Sequence, residues 1–404
     1  MSVRLKDVVA TNRMTLSETT DPDLTFRYVD IGAVSQGRID IPDVEQRFET
    51  APSRARRLAE PGDIVVSTVR TYLRAVARVP KTVEPLVFST GFAVMHPHED
   101  RIDSRYLGYF CTSTPFIESV VARSVGVSYP AINASEVADI RMNLPPLDEQ
   151  RRIADFLDTE TTRLDALIAS RSSQLELFAV REAAALTETF EVDSTPRVHL
   201  GYLAQVQTGV TVGGQRPTKG LVERPYLRVA NVQADRLELA TVTSIWVTRQ
   251  EAAASTLRPR DVLMTEGGDL DKLGRGTLWN GAIPGCLHQN HVFAIRCGNR
   301  ILPEFLAYFT RSMRVRAYFA ETGVKTTNLA STNSSKVRSL PVPLMSIEQQ
   351  RDLAAAADGV VQSAVRLRSA IELQSTLLAE RRQVLITAAV TGELDVTTAR
   401  GASA

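Results

Sequence analysis

The 404-residue chain contains one pattern twice. LPPLDEQRRIADFLD opens at Leu144 and LPVPLMSIEQQRDLAAAAD opens at Leu340. Each is followed by a helix-forming stretch, LELFAVREAAALTE from Leu175 and STLLAERRQVLITA from Ser375. The copies lie about 200 residues apart, half of the chain. A fixed internal period constrains architecture more than any single residue does. Two copies of such a unit imply a pseudo-dimer in one polypeptide, with one ligand-facing surface per copy. Weaker matches extend through the unit: Val3-Arg4-Leu5 with Val198-His199-Leu200, Tyr28-Val29-Asp30-Ile31 with Tyr226-Leu227-Arg228-Val229, and Asp63-Ile64-Val65 with Asp261-Val262-Leu263. Phe92-Ala93-Val94 matches Phe293-Ala294-Ile295, and Leu107-Gly108-Tyr109-Phe110 matches Leu306-Ala307-Tyr308-Phe309. The matched residues are mostly apolar and small, so they report a shared core. The polar residues between them differ freely, so one scaffold carries two different faces.

Net charge is only +1, but its distribution is uneven. Residues 1–145 hold 17 basic and 18 acidic side chains, residues 146–195 hold 5 and 11, residues 196–345 hold 19 and 10, and residues 346–404 hold 6 and 7. A basic second globular region points to a polyanion partner. The acidic stretch before it suits a protein partner. No run approaches the roughly 20 apolar residues of a membrane span. The charged start MSVRLKDVVATNR lacks a signal-peptide pattern. Three cysteines, Cys111, Cys286 and Cys297, give no disulfide framework and fit a reducing cytosol.

The pattern predicts an α+β chain. Two β-rich domains, 1–145 and 196–345, alternate with two long helices, 146–195 and 346–395, and a tail follows at 396–404. PGDIVVST from Pro61 and LVFSTGFAVMHP from Leu86 read as strands. Shorter helices are expected near Ser104–Val121, capped by Asp103 or Ser104, and near Pro303–Phe319. Pro145-Pro146 marks a boundary, after which about 40 residues from Asp148 contain no Gly or Pro until Pro196. The second long helix is expected from about Ser346 to Thr391, with Gly392 as its stop and Gly359 as its interior weak point. Ala357, Ala364, Ile371, Leu378 and Leu385 recur every seven residues, with Val360, Leu367, Gln374, Arg381 and Ala388 as a companion row. The first helix repeats this with Leu157, Leu164, Arg171, Phe178 and Ala185, accompanied by Leu167, Gln174 and Arg181. Such spacing favours a long antiparallel helix pair, with the paired Gln and Arg positions fixing register.

PPLDEQRRIADFLDTETTRLDALI (Pro145–Ile168) and ERRQVLITAAVTGELD (Glu380–Asp395) resemble the conserved helices of the specificity subunits of type I restriction–modification enzymes. The resemblance spans essentially the whole chain. Proline boundary, Glu-Gln-x-Arg opening and Arg-rich ending recur in order, although two extra residues precede Glu348-Gln349. The resemblance implies two target-recognition domains, each reading one half of a split, asymmetric sequence in double-stranded DNA. It implies an antiparallel helix pair that sets the gap and docks two adenine methyltransferase subunits, which two restriction motor subunits can then join. It implies no catalysis and no cofactor on this chain, S-adenosylmethionine being expected on the methyltransferase, and no membrane.

Four clusters are candidate sites. The first is Ser67, Thr68, Arg70, Tyr72 and Arg74, with Glu266, Gly268, Lys272 and Arg275 in the second copy. Family members often place this segment as a DNA-facing loop. Arg can read guanine through two parallel hydrogen bonds and Glu can accept from cytosine N4. The second is Ser124, Ser128 and Tyr129, with Lys325, Thr326 and Asn328 as its repeat, suited to phosphates. The third is Gln289, Asn290 and His291, suited to adenine, with Thr90 in the first copy. Cys286, His288, His291 and Cys297 match no standard zinc spacing, and the first copy has nothing equivalent. The fourth is Arg181, Arg381 and Arg382, expected at a partner surface, although cations also favour a helix C-terminus. The glycines around Gly267–Gly276 lack the Gly-Lys-Ser/Thr ending of a phosphate loop. Asn-Pro-Pro-aromatic and Walker motifs are missing too, so the chain reads as a recognition component. Two other readings stay open at this level: a free-standing regulator of a split operator, and a coiled-coil scaffold without sequence preference.

Overall fold

The computed structural model describes residues 2–191, 195–213, 219–233, 236–268, 273–274, 276–325 and 330–396. The chain divides into two compact units, residues 1–171 with 373–404, and residues 172–372. The division cuts both long helices, Leu147–Thr189 and Ile347–Thr391, near their middles. Each unit therefore holds one β-rich domain, the start of one long helix and the end of the other. Among the described residues no helix is long and apolar enough to cross a membrane.

In the first unit an antiparallel sheet runs in the order Val9–Thr11, Phe92–Pro97, Ile64–Ser67, Val76–Arg78. A second sheet runs Glu45–Arg47, Thr25–Val29, Leu86–Ser89, Ala55–Ala59. In the second unit the equivalent sheets, among the described residues, run Ala204–Thr208, Val292–Cys297, Val262–Thr265, Gly276–Leu278 and Thr243–Thr248, Leu221–Leu227, Leu287–His288. A short ribbon closes each domain before its long helix starts: Ser2–Arg4 pairs with Arg141–Asn143, and Arg197–His199 with Pro341–Pro343. The repeat extends to buried polar groups. Asp63 accepts the backbone N–H of Glu60 at 2.9 Å and lies 2.7 Å from His96 Nδ1. Asp261 accepts that of Arg258 at 2.8 Å and a two-pronged contact from Arg296 at 3.0 and 2.8 Å. A buried carboxylate demands such partners, so each copy supplies them.

The same geometry corrects the repeat's register in two places. Buried Gln150 accepts from the backbone N–H of Asp103 and donates to the carbonyls of Arg101 and Pro145. Buried Gln350 accepts from Leu302 and donates to Arg300 and Met345. Gln150 therefore corresponds to Gln350, not Gln349. No residues are inserted there, and Leu340 corresponds to Ile140, since each accepts the N–H of the first leucine turn, Leu200 or Leu5. Phe92 likewise corresponds to Val292 rather than Phe293: strand partners pair Phe92 with Ser67 and Val292 with Thr265. A one-residue slip in a strand exchanges its faces, and Phe92 and Val292 share one face while Phe293 packs in the opposite core.

The helices expected near 104–121 and 303–319 are each two helices, Ser104–Thr112 with Thr114–Arg123 and Pro303–Phe309 with Met313–Thr322. Buried, extended Ser113 and Ser312 separate them. Each hydroxyl donates to a carbonyl three residues back, Phe110 at 2.7 Å and Phe309 at 2.8 Å. A serine that satisfies the backbone locally competes with helix continuation, and in the first copy Pro115 adds its missing N–H. Asp103 is the cap of the first of these helices, accepting from Arg105 and Tyr106.

Within each unit the two long helices run antiparallel: Asp165 meets Arg382 in the first, and Glu182 meets Arg368 in the second. The seven-residue row through Ala357 and Ile371, and that through Leu157 and Leu164, is on the packed face. The companion row is not the expected one. Leu167, Leu367, Gln374, Arg181 and Arg381 are exposed, while Ala154, Thr161, Ala354, Val361 and Ala389 are buried. A 3.5-residue repeat allows a step of three or four after each anchor, and here the step is four. Gln374, Arg181 and Arg381 therefore lie off the packed seam, whereas Gln174 is half-buried. The second helix runs unbroken through exposed Gly359, and an added Cβ there meets nothing within 4 Å. Gly359→Ala is expected to stabilise the chain by about 0.5–1 kcal/mol. A higher thermal midpoint would check this, and no rise would show that the glycine's freedom costs the folded state nothing.

Candidate nucleic-acid interface

Three loops of the first unit are stitched together through main-chain atoms. Thr68 N–H donates to Gly91 O at 2.8 Å, Ile132 N–H to Thr68 O at 2.9 Å and Arg70 N–H to Pro130 O at 2.8 Å. The second unit repeats the stitching: Glu266 N–H donates to His291 O at 2.9 Å, Thr332 N–H to Glu266 O at 2.7 Å, and Gly267-Gly268 pairs with Ala330-Ser331. Three of the segments singled out from sequence thus share one surface in each unit. Because the stitching uses backbone groups, the side chains on it are free to differ between the copies.

They do differ. In the first unit Arg70, Tyr72, Arg74, Thr90, Ser128 and Tyr129 are exposed. Arg70 lies over the Tyr129 ring, 5.2 Å from its centroid. Such a contact orients a guanidinium without removing its charge. Arg70 and Arg74 both hold left-handed backbone, φ 50° and 53°, on either side of the short turn Thr71–Leu73. In the second unit Glu266 pairs with His291, whose neighbour Asn290 lies 3.3 Å away, amide nitrogen to ring nitrogen. This tip offers a carboxylate, an imidazole and an amide in place of arginines and a tyrosine. Its backbone is held by close approach at Gly209, where a Cβ would lie 1.9 Å from the His288 carbonyl oxygen.

Several candidates act as fasteners. Ser67 is buried and its hydroxyl donates to Val69 O at 2.6 Å. Thr68 Oγ1 donates to Gly91 O at 2.9 Å. Ser124 Oγ donates to Val120 O at 2.7 Å and accepts from Thr71 at 2.8 Å. Half-buried Gln289 accepts the N–H of Val229 at 3.2 Å. These four groups hold loop shape. His288 is buried with Nδ1 2.6 Å from Val292 O, and burial pushes its pKa below the usual imidazole value. It is therefore a neutral core residue. Gly268 and Lys325 lie in strands, while Lys272, Arg275, Thr326 and Asn328 lie outside the described residues. Arg181 and Arg381 are exposed on the long helices, away from these loops in sequence, whereas Arg382 pairs with Asp165 at 2.9 Å. Leu73, Val125 and Val127 are also exposed on the first surface, and apolar side chains within a loop give no sequence signal that separates them from core residues.

The chain has relatives of known kind. Residues 1–177 match the family model described as the type I restriction modification DNA specificity domain. The chain is 22% identical to the EcoKI specificity subunit of Escherichia coli (strain K12) over 339 residues, 79% of this chain and 72% of that one. A chain from a structure of a type I R-M system, concerned with its assembly and conformational transition, superposes with a TM-score of 0.74 at 25% identity over 98% of both chains. The HsdS subunit of Thermoanaerobacter tengcongensis shares the fold, with a TM-score of 0.50 at 24% identity over 98% of this chain and 97% of that one. Twofold repeat, split long helices and paired loop surfaces agree with these likenesses: residues 1–177 match the type I restriction modification DNA specificity domain, and over most of its length the chain is similar to a type I specificity subunit.

Proposed function

We propose that the chain reads DNA sequence for a type I restriction–modification complex, each β-rich domain recognising one half of a two-part target. The observation that carries this is the paired loop surface: one backbone framework, stitched through corresponding main-chain bonds in both units, presents unlike side chains. Direct readout of two unlike half-sites needs such an arrangement, because base edges are distinguished by donor, acceptor and methyl pattern. Phosphate contacts position a protein and base contacts specify the sequence. The excess of basic residues over 196–345, 19 against 10, serves the first task, and the loop side chains serve the second. The long helices set the unread gap and carry the binding face for two methyltransferase subunits, to which restriction subunits attach. Methyl transfer and cleavage belong to those partners, and S-adenosylmethionine binds there.

Selection from random duplexes, with the methyltransferase subunits present, is expected to enrich a two-part motif with a constant gap. Enrichment of a single uninterrupted motif, or of none, would remove this reading.

A further inference from the structure

The first unit's loop surface carries more apolar area than hydrogen bonding explains. Tyr72 is 54% exposed, Leu73 46%, Val125 80%, Val127 102% and Tyr129 67%. These residues sit on two segments tied to each other, by Thr71 Oγ1 to Ser124 Oγ at 2.8 Å and by Arg70 N–H to Pro130 O at 2.8 Å. Val125 and Ala131 exchange backbone hydrogen bonds at 2.8 and 3.0 Å, which fixes the base of the loop that bears Val127. The left-handed backbone at Arg70 and Arg74 is one that residues with a Cβ seldom adopt. It turns the chain sharply on each side of Tyr72 and Leu73, which both stay exposed. An exposed apolar cluster of this kind marks an interaction surface.

Charge decides the occupant. Segments 67–74 and 123–131 contain Arg70, Arg74 and Arg123 and no acidic residue, in a chain that balances 47 basic against 46 acidic residues. An apolar cluster whose own two segments carry arginines and no carboxylate fits a polyanion that also presents methyl groups. The major groove of duplex DNA does so at every thymine, whose C5-methyl is recognised by apolar contact. We propose that the first domain reads its half-site in part through thymine C5-methyl groups, packed against Leu73, Val125 and Val127 between the Tyr72 and Tyr129 rings. The inference rests on the proposed function and gives the two domains different chemistries. The second surface, with Glu266, Asn290 and His291, reads polar base edges.

The test uses the full chain with its methyltransferase subunits and the two-part duplex obtained by selection. Thymines are replaced by deoxyuridine in one half at a time, which removes the methyl and keeps pairing and charge. Affinity is expected to fall roughly fourfold for each contacted methyl in one half, and by less than twofold in the other. Val127→Ser and Leu73→Ser, both at exposed positions, are expected to bring the thymine-to-uracil affinity ratio of the sensitive half toward one. Specific binding of the thymine duplex with a ratio of one in both halves overturns the inference and leaves the proposed function standing. So does a ratio that neither variant changes, or a target in which neither half contains thymine. Failure to discriminate any duplex removes both.

Discussion

Glu182→Arg is expected to destabilise the chain by about 3–5 kcal/mol, read as a lowered midpoint of the thermal or denaturant transition. Glu182 lies near the end of the first long helix with a side chain only 10% exposed, and it pairs with Arg311 and with Arg368 at 3.2 Å. Arg311 is 11% exposed. Surface ion pairs contribute about 0–1 kcal/mol, but breaking a buried one leaves an uncompensated charge away from water, which costs far more. The substitution also places a third cation between two others. The equivalent position in the second helix gives the control. Arg382 pairs with Asp165, which is 54% exposed, so Arg382→Ala is expected to cost about 1 kcal/mol or less. Equal shifts for the two variants would show that the Glu182 cluster is not the buried junction it is described as.

The opposite charges at positions 182 and 382 also distinguish the two units. The unit holding Arg311 and Arg368 receives a glutamate from the end of the first long helix, and the unit holding Asp165 receives an arginine from the end of the second. Exchanging the two helix ends would set like charges against each other in both units, an arrangement that penalises wrong pairings. This role for Arg382 lies within the fold. Among the arginines expected at a partner surface, Arg181 and Arg381 are the ones whose side chains stay exposed.

Much of the fold was legible because a repeat states its own architecture. Two long helices free of proline, a glycine stop at Gly392 and a proline boundary after Leu144 are local signals, and the structure follows them. The second row of the helix pair was not legible, since Val360 and Val361 are both apolar and only packing chooses between them. Gln349 and Gln350 posed the same problem: identical residues side by side hide which one is buried. The broken helices turned on Ser113 and Ser312, whose hydroxyls choose a backbone carbonyl only once the chain is buried around them. At the candidate interface the three loops were readable as segments. Their union was not, because it is made by main-chain hydrogen bonds between residues far apart in sequence. For the same reason sequence could not separate outward-facing Arg70 from Ser67, which is turned inward.

Exchange of a whole domain carries the largest functional effect. Residues 197–342 run from the first strand of the closing ribbon to the second, Arg197–His199 to Pro341–Pro343, so a transplanted domain brings its own sheets and loop surface. The core that must be kept is the contact with Leu186, Phe190, Ala354, Ala357 and Val361 of the long helices. Replacing 197–342 with the corresponding domain of another specificity subunit, and sequencing the DNA that the assembled methyltransferase modifies, measures the assignment of one domain to one half-site. The outcome required here is a target in which one half is wholly new while the other half and the gap are retained. A change in both halves, or an unchanged target, would contradict it.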